Sequence, residues 1–246
     1  MMMAPINEIF CSVQGEGPYV GVRQAFVRFE GCNLSCKYCD TPEAKRAGQK
    51  CMVEVTPGKR DFTQLDNPLD NEKIVEVVEK YGKIHSVSLT GGEPLLHANF
   101  IRDLKVNAPL YLETNMTLPE KAALVKDRVR YVAGDFKLSD AFDDSFVYDG
   151  IREATIRSYK VLRGTKDRDC FCKVVIQKDS KMDEVLYNVE QINEYISTVV
   201  LQPLTPFSNA QNKTSITEVL KMQERLADIV EEVNVIPQTH KIWGAL

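Results

Sequence analysis

Cys32, Cys36 and Cys39 stand at C-x3-C-x2-C spacing in the stretch Gly31-Cys32-Asn33-Leu34-Ser35-Cys36-Lys37-Tyr38-Cys39-Asp40-Thr41. Three thiolates this close within one short loop can wrap an iron–sulfur cluster. A cubane that only carries electrons normally takes four cysteines, whereas three leave one iron open to an exogenous ligand. The redox centre is then also a binding site. A structural zinc site is the competing reading, but it ordinarily brings a second Cys/His pair at finger-like distance, and none follows Cys39. A plain electron-transfer protein would need a fourth nearby thiolate, and none is apparent.

Other residues could join this chemistry. Leu89-Thr90-Gly91-Gly92-Glu93-Pro94 follows an expected parallel strand and precedes a helix, so its glycines sit where bare backbone can approach a ligand. Read alone, the pair of glycines before proline is an ordinary turn. Glu113 ends a strand at Leu112-Glu113-Thr114-Asn115, and a salt-bridged carboxylate is its bland alternative. Arg28 alternates with Val27 and Phe29 on a strand leading into the cysteine loop. Its guanidinium fork could clamp an anion, the alternative being an ion pair with Glu30. Thr41 offers a neutral oxygen to a hard cation, or simply closes an Asp-Thr-Pro turn. Cys170 and Cys172 fall on one face of a strand, and buried free thiols are expected there rather than a second metal site with Cys11 or Cys51. His85 and His97 read as structural histidines.

The elements that must position these groups alternate between short β-branched or aromatic runs and amphipathic stretches, the pattern of repeated βα units and a parallel sheet. Strands are expected at 24–30, 84–90, 109–113, 129–136, 170–177 and 198–203, and helices at 71–82, 96–106, 118–126, 149–161, 182–196 and 214–231. The first of these helices carries Ile74, Val75, Val77, Val78 and Tyr81 as its apolar stripe, and the last carries Ile216, Val219, Leu220, Leu226 and Ile229. Residues 42–70 show little periodicity and contain Gly48, Pro57, Gly58 and Pro68, so an insertion or lid loop is expected there within a single domain spanning 1–246.

Composition narrows the partners. With 246 residues, 43% of them hydrophobic, the chain can bury a sizeable core. A net charge of −4 and a pI near 5.6 provide no global field for nucleic acid or an anionic membrane surface, so a small-molecule partner is expected. No apolar run approaches a membrane span, and the N-terminus lacks the pattern of a signal peptide. An odd cysteine count with three clustered argues for a reducing, cytoplasmic setting.

The cysteine loop and the Gly-Gly-Glu-Pro segment resemble the radical S-adenosylmethionine superfamily. Asn7-Glu8-Ile9-Phe10-Cys11-Ser12-Val13-Gln14-Gly15-Glu16-Gly17, Phe26 to Leu34, Cys39-Asp40-Thr41, Leu201-Gln202-Pro203 and the tail Pro237-Gln238-Thr239-His240-Lys241-Ile242-Trp243-Gly244 look like its 7-carboxy-7-deazaguanine synthase family. The resemblance implies a partial (β/α) barrel of about six parallel strands and a homodimer. It implies a 4Fe–4S cluster on Cys32, Cys36 and Cys39, with S-adenosylmethionine chelating the open iron and being cleaved to methionine and a 5′-deoxyadenosyl radical. It further implies Mg²⁺ on Thr41, conversion of 6-carboxy-5,6,7,8-tetrahydropterin to 7-carboxy-7-deazaguanine with loss of ammonia, and a flavodoxin- or ferredoxin-type electron donor. Tyr38, Cys39, Asp40, Gly91, Gly92, Glu93, Glu113, Lys137 and Ser139 would bind S-adenosylmethionine; Val13, Gln14, Gly15, Arg28, Thr90 and His240 would meet the pterin. Two departures stand out: Met116 replaces the usual glycine after Glu-Thr-Asn, and Asp135-Phe136-Lys137-Leu138-Ser139-Asp140 replaces a proline- and serine-rich segment. A glycyl-radical-enzyme activase, acting on a partner protein, shares the three-cysteine loop and is the rival enzyme.

Overall fold

The structure, a computed structural model, describes residues 2–45, 48–143, 147–178, 180–205 and 214–246. Its strands are β1 (Met3–Ala4), β2 (Ile6–Val13), β3 (Arg23–Phe29), β4 (Lys50–Glu54), β5 (Phe62–Asp66), β6 (Leu69–Asp70), β7 (Ser86–Gly91), β8 (Leu110–Thr114), β9 (Val129–Asp135), β10 (Asp169–Ile176), β11 (Val199–Pro203) and β12 (Val233–Val235). The helices are α1 (Asn71–Lys80), α2 (Ala98–Asp103), α3 (Pro119–Val125), α4 (Tyr148–Leu162), α5 (Met182–Glu190), α6 (Ile216–Ala227) and α7 (Thr239–Trp243). Among the described residues ten strands form one sheet in the order β12-β11-β10-β9-β8-β7-β3-β2-β4-β5. From β12 to β3 every neighbouring pair is parallel, so β12 adds a seventh parallel strand to the six expected. Among the described residues no pairing joins β12 to β5, and the sheet stays open.

Each strand from β8 to β12 lies beside its predecessor in sequence, and right-handed crossovers between such strands carry the helices to one face. The two-residue period of a strand then separates two jobs. Val27, Phe29, Val87, Leu89, Leu112, Val132, Val174 and Leu201 pack against helix residues such as Ile74, Ile101, Ala122, Val185, Val219 and Leu226 in one core. The intervening Arg28, Thr90, Glu113, Asp135, Lys173 and Gln202 face the other way and line one cavity. One step nearer the strand starts on that same face, Tyr111, Ala133, Phe171 and Val200 pack with Tyr19 and Tyr131 into a plug that floors it.

The expected strands and helices fall close to the observed ones, with differences at the ends. The helix expected at 96–106 is a 3-10 turn at Pro94–His97 followed by α2, and that expected at 182–196 ends at Glu190, with a 3-10 turn at Asn193–Tyr195. The chain expected to lack regular structure at 42–70 holds β4 and β5, an antiparallel pair added beside β2. Glu54, fully buried, secures its turn by accepting hydrogen bonds from Gly58 N and Arg60 N, both at 3.0 Å, and from Cys11 N at 3.3 Å.

Cys170 and Cys172 are both fully buried on the helix-facing side of β10. Burial pushes the Cys172 thiol up to about 12 and raises Cys170 as well, which suits inert core thiols. Replacing both with Ala is therefore expected to leave iron per chain unchanged after anaerobic reconstitution. Loss of about half the iron would disclose a second cluster.

Candidate active site

The cysteine loop leaves the end of β3 and is held there by backbone bonds. Gly31 N donates to Ala44 O at 2.8 Å, Glu93 N to Gly31 O at 2.8 Å and Gly92 N to Phe29 O at 3.1 Å. This close approach requires the two glycines. A Cβ on Gly92 would sit 2.0 Å from Gly31 O, and one on Gly91, whose φ is 126°, would sit 2.2 Å from Phe29 O. Glu93 does not reach the cavity. Its fully buried carboxylate accepts hydrogen bonds from Leu95 N at 2.9 Å, Thr114 Oγ1 at 2.8 Å and Asn115 N at 2.8 Å, and burial raises its pKa to about 7. Glu93 thus fixes the turn after β8. Asn115 Nδ2 in turn donates to Asn33 Oδ1 at 3.0 Å, tying that turn to the cysteine loop. Met116, at the position where the resemblance has glycine, adopts φ 59°, a left-handed conformation that costs a side-chain-bearing residue about 1–2 kcal/mol.

Cys32, Cys36, Tyr38, Cys39, Asp40 and Thr41 line one side of a cavity of about 380 Å³, a volume typical of ligand sites. Leu34 of the loop, which also lines the cavity, packs with Ala141 and Phe142. Burial raises the Cys32 and Cys36 thiols, with a hydrogen bond from Leu34 N opposing this at Cys32 and the Lys137 ammonium opposing it at Cys36. Among the described residues, no three His, Cys, Asp or Glu side chains converge as they would around a single ion. The Tyr38 ring lies under the Lys137 ammonium, 5.4 Å from its centroid, and its buried hydroxyl has no partner among the described residues. Thr41 lies beside Cys39 on the wall, and its hydroxyl makes no hydrogen bond to another described residue.

Across the cavity Gln14, Thr90, Glu113 and Arg28 form a polar wall. Among the described residues Glu113 has no salt-bridge partner. It accepts hydrogen bonds from Ser88 Oγ at 2.8 Å, Thr90 Oγ1 at 3.0 Å and Gln14 Nε2 at 3.0 Å. Gln14 also donates to buried Gln24 at 3.0 Å, which donates on to Ser86 at 2.9 Å. Arg28 pairs with Glu8 rather than Glu30, its Nε donating at 2.7 Å while the guanidinium lies 5.7 Å from the Phe10 centroid. Glu30 instead accepts a hydrogen bond from Gly48 N at 2.9 Å. Val13 and Gly15 line the same wall, and His240 packs over Gly15 so tightly that a Cβ there would lie 2.3 Å from its Nδ1. Burial lowers the His240 pKa, which keeps the imidazole neutral.

Several wall residues escaped the sequence reading. Lys173 donates to Glu16 at 2.5 Å and lies 3.6 Å from Asp135, which also accepts from Lys137 at 3.0 Å. Burial alone would lower both ammonium groups, but Asp135, joined by Glu16 at Lys173, holds them above their ordinary value. Gln202 presents a buried side-chain oxygen without a partner among the described residues. Alternation along β9, β10 and β11 was the signal that could have found these positions. Ser139, by contrast, does not line the cavity. Its N and Oγ both donate to the Glu184 carboxylate at 2.6 Å.

Residues 26–201 match the model of the Radical SAM superfamily. The chain is similar to a 7-carboxy-7-deazaguanine synthase of Archaeoglobus fulgidus, 43% identical with 99% of each chain covered, and to one of Geobacter sulfurreducens, 34% identical over 99% of this chain and 98% of that one. Its fold is similar to that in the crystal structure of QueE from Escherichia coli, with a TM-score of 0.56, 18% identity, and 98% and 96% of the two chains covered. On the family match, the identity and the near-complete coverage, this chain belongs to the radical SAM superfamily and, within it, to the 7-carboxy-7-deazaguanine synthase family.

Proposed function

We propose that this enzyme converts 6-carboxy-5,6,7,8-tetrahydropterin to 7-carboxy-7-deazaguanine and ammonia by radical ring contraction, toward the deazapurine bases of tRNA. The observation that carries the reading is that the cysteine triplet and the Gln14–Thr90–Arg28 wall share one cavity in a chain aligned with its curated relatives from end to end. None of these relatives lends support to the activase.

The radical SAM family implies a 4Fe–4S cluster and S-adenosylmethionine. The residues present fit them: three thiols and no fourth on the wall, a glycine cradle against the cysteine loop, and orphaned polar atoms on Tyr38 and Gln202. When bound, this pair supplies the radical that removes hydrogen from the substrate. Cys32, Cys36 and Cys39 would hold the irons, and Tyr38, Asp40, Gly91, Gly92, Glu113 and Lys137 would contact S-adenosylmethionine. Glu93 and Ser139, which do not line the cavity, would serve it by shaping the turns that do. Val13, Gln14, Gly15, Thr90 and His240 would hold the pterin. Glu8 fixes the plane of the Arg28 guanidinium through Nε, leaving the terminal nitrogens for a substrate carboxylate. Residues that bury this cavity keep water from a reactive intermediate.

The finer parts of the proposal are Mg²⁺ at Thr41, a flavodoxin- or ferredoxin-type donor, a homodimer and a cytoplasmic location. All seven cysteines are free, which suits a reducing compartment, and no described helix is long and apolar enough to cross a membrane. Mg²⁺ keeps several waters and needs few protein ligands, so a single threonine hydroxyl facing the substrate is a suitable contact. Anaerobic incubation with the carboxytetrahydropterin tests the whole reading through the deazapurine chromophore, and its absence under reducing conditions would sink it. In the same assay Thr41→Ala should retain cluster iron, lose roughly 10–100-fold in turnover and respond less to Mg²⁺, while Thr41→Ser keeps part of the activity. An Ala variant equal to wild type at every Mg²⁺ concentration would make Thr41 a turn residue.

A further inference from the structure

The described hydrogen bonds around the cavity meet at one side chain outside any role assigned above. Gln238, 6% exposed, precedes α7. Its Nε2 donates to Glu16 Oε1 at 2.8 Å and to Asp40 Oδ2 at 2.9 Å, and its Oε1 accepts from Lys241 Nζ at 2.7 Å. Both amide hydrogens therefore go to carboxylates from two separate segments: Glu16 follows the Val13–Gly15 wall, and Asp40 follows Cys39. The chain of contacts continues from Glu16 to Lys173 at 2.5 Å, to Asp135 at 3.6 Å, to Lys137 at 3.0 Å and on to the Tyr38 ring, back in the cysteine loop. These contacts link the cysteine loop, β9, β10 and the tail along one part of the cavity wall, and every member lines the cavity. The backbone anchors the tail to the same place, since Thr239 N donates to Gly15 O at 2.9 Å.

We infer that Gln238 is a positioning residue that sets the separation between the cysteine loop and the Val13–Glu16 loop, and so between the radical source and the substrate; the functional half of this statement rests on the reading proposed above. The chemistry explains the residue type. Two carboxylates facing one point repel each other, and a neutral NH₂ group with two hydrogens can bridge them without adding charge. A glutamate would place a third carboxylate between them. A methionine would keep the volume but donate nothing.

Gln238→Met and Gln238→Glu, read by amide hydrogen exchange on the whole chain with and without reconstituted cluster, test the bridge. Loss of two charge-assisted hydrogen bonds should speed exchange roughly tenfold to a hundredfold at Glu16 N and Cys39 N together, with the Glu variant the faster, while β9 and β10 amides hold their rates. Acceleration at only one loop, at neither, or throughout the sheet would overturn the inference, the last because Gln238 would then be a general stability residue. With pterin present, the Met variant should release on the order of tenfold more deoxyadenosine per deazapurine formed, because misplaced substrate leaves the radical unused. If wild type makes no deazapurine, the substrate reading falls and the exchange rates decide the bridge alone. If wild type makes it and the two loops do not respond together, the bridge falls and the substrate reading stands.

Discussion

Alanine at Cys32, Cys36 or Cys39 is expected to abolish both cluster iron and S-adenosylmethionine cleavage. The loss should exceed the roughly 10–100-fold that changes in outer-shell partners cause, because on the proposed reading each thiolate would take its own iron, and no other cysteine lines the cavity. The remaining four, Cys11, Cys51, Cys170 and Cys172, are buried in the core and cannot substitute. Global stability should change little, since the loop is partly exposed and is held at β3 and β7 by backbone bonds the thiols do not make. The check is iron and sulfide content, an electron paramagnetic resonance signal after reduction, and deoxyadenosine release. A variant that keeps its cluster and cleaves S-adenosylmethionine would remove that cysteine from the site; zinc without iron in anaerobically isolated wild type would revive the rival metal.

Lys173→Met should produce a large loss of stability for a single wall residue. The Lys173 side chain is only 12% exposed and its ammonium lies between Glu16 and Asp135. Removing one member of a buried charge group leaves the others uncompensated, a cost of about 3–5 kcal/mol. Gln238 still donates to Glu16 and Lys137 to Asp135, so the lower figure is expected. For a chain this size that corresponds to a drop in Tm on the order of 10 °C. Calorimetry on the variant decides it. An unchanged Tm would mean that water and the remaining partners already satisfy both carboxylates.

The features legible in the sequence were those with a local signature. Strands β7 to β11 and helices α1 to α6 each carry their own apolar period, and the cysteine loop and Gly91-Gly92 declare themselves by spacing. β2 was not identified because a register shift between Ile6 and Glu8 breaks its alternation. β5 is a largely exposed edge, Phe-Thr-Gln-Leu-Asp, with too little apolar surface to mark it. The chain of charged contacts was invisible for a different reason: its members meet only when folded, Glu16 and Lys173 being 157 positions apart and Gln238 and Glu16 222. For Arg28 only the alternative, an ion pair with Glu30, named the wrong partner, because Glu30 is near in sequence whereas Glu8 lies across the β2–β3 pair.

The division of labour within single strands has an evolutionary consequence. On β3, Ala25, Val27 and Phe29 face the helices while Phe26 and Arg28 face the cavity, and Cys172 and Val174 on β10 flank Lys173 in the same way. Selection for a durable core and selection for a particular substrate therefore act on alternate letters of the same short words. Either set can drift while the other is held, so a lineage can acquire a new wall without rebuilding its scaffold. A saturation scan of β3 and β10 would record this as a two-residue beat, with expression level responding to one set of positions and turnover of folded protein to the other.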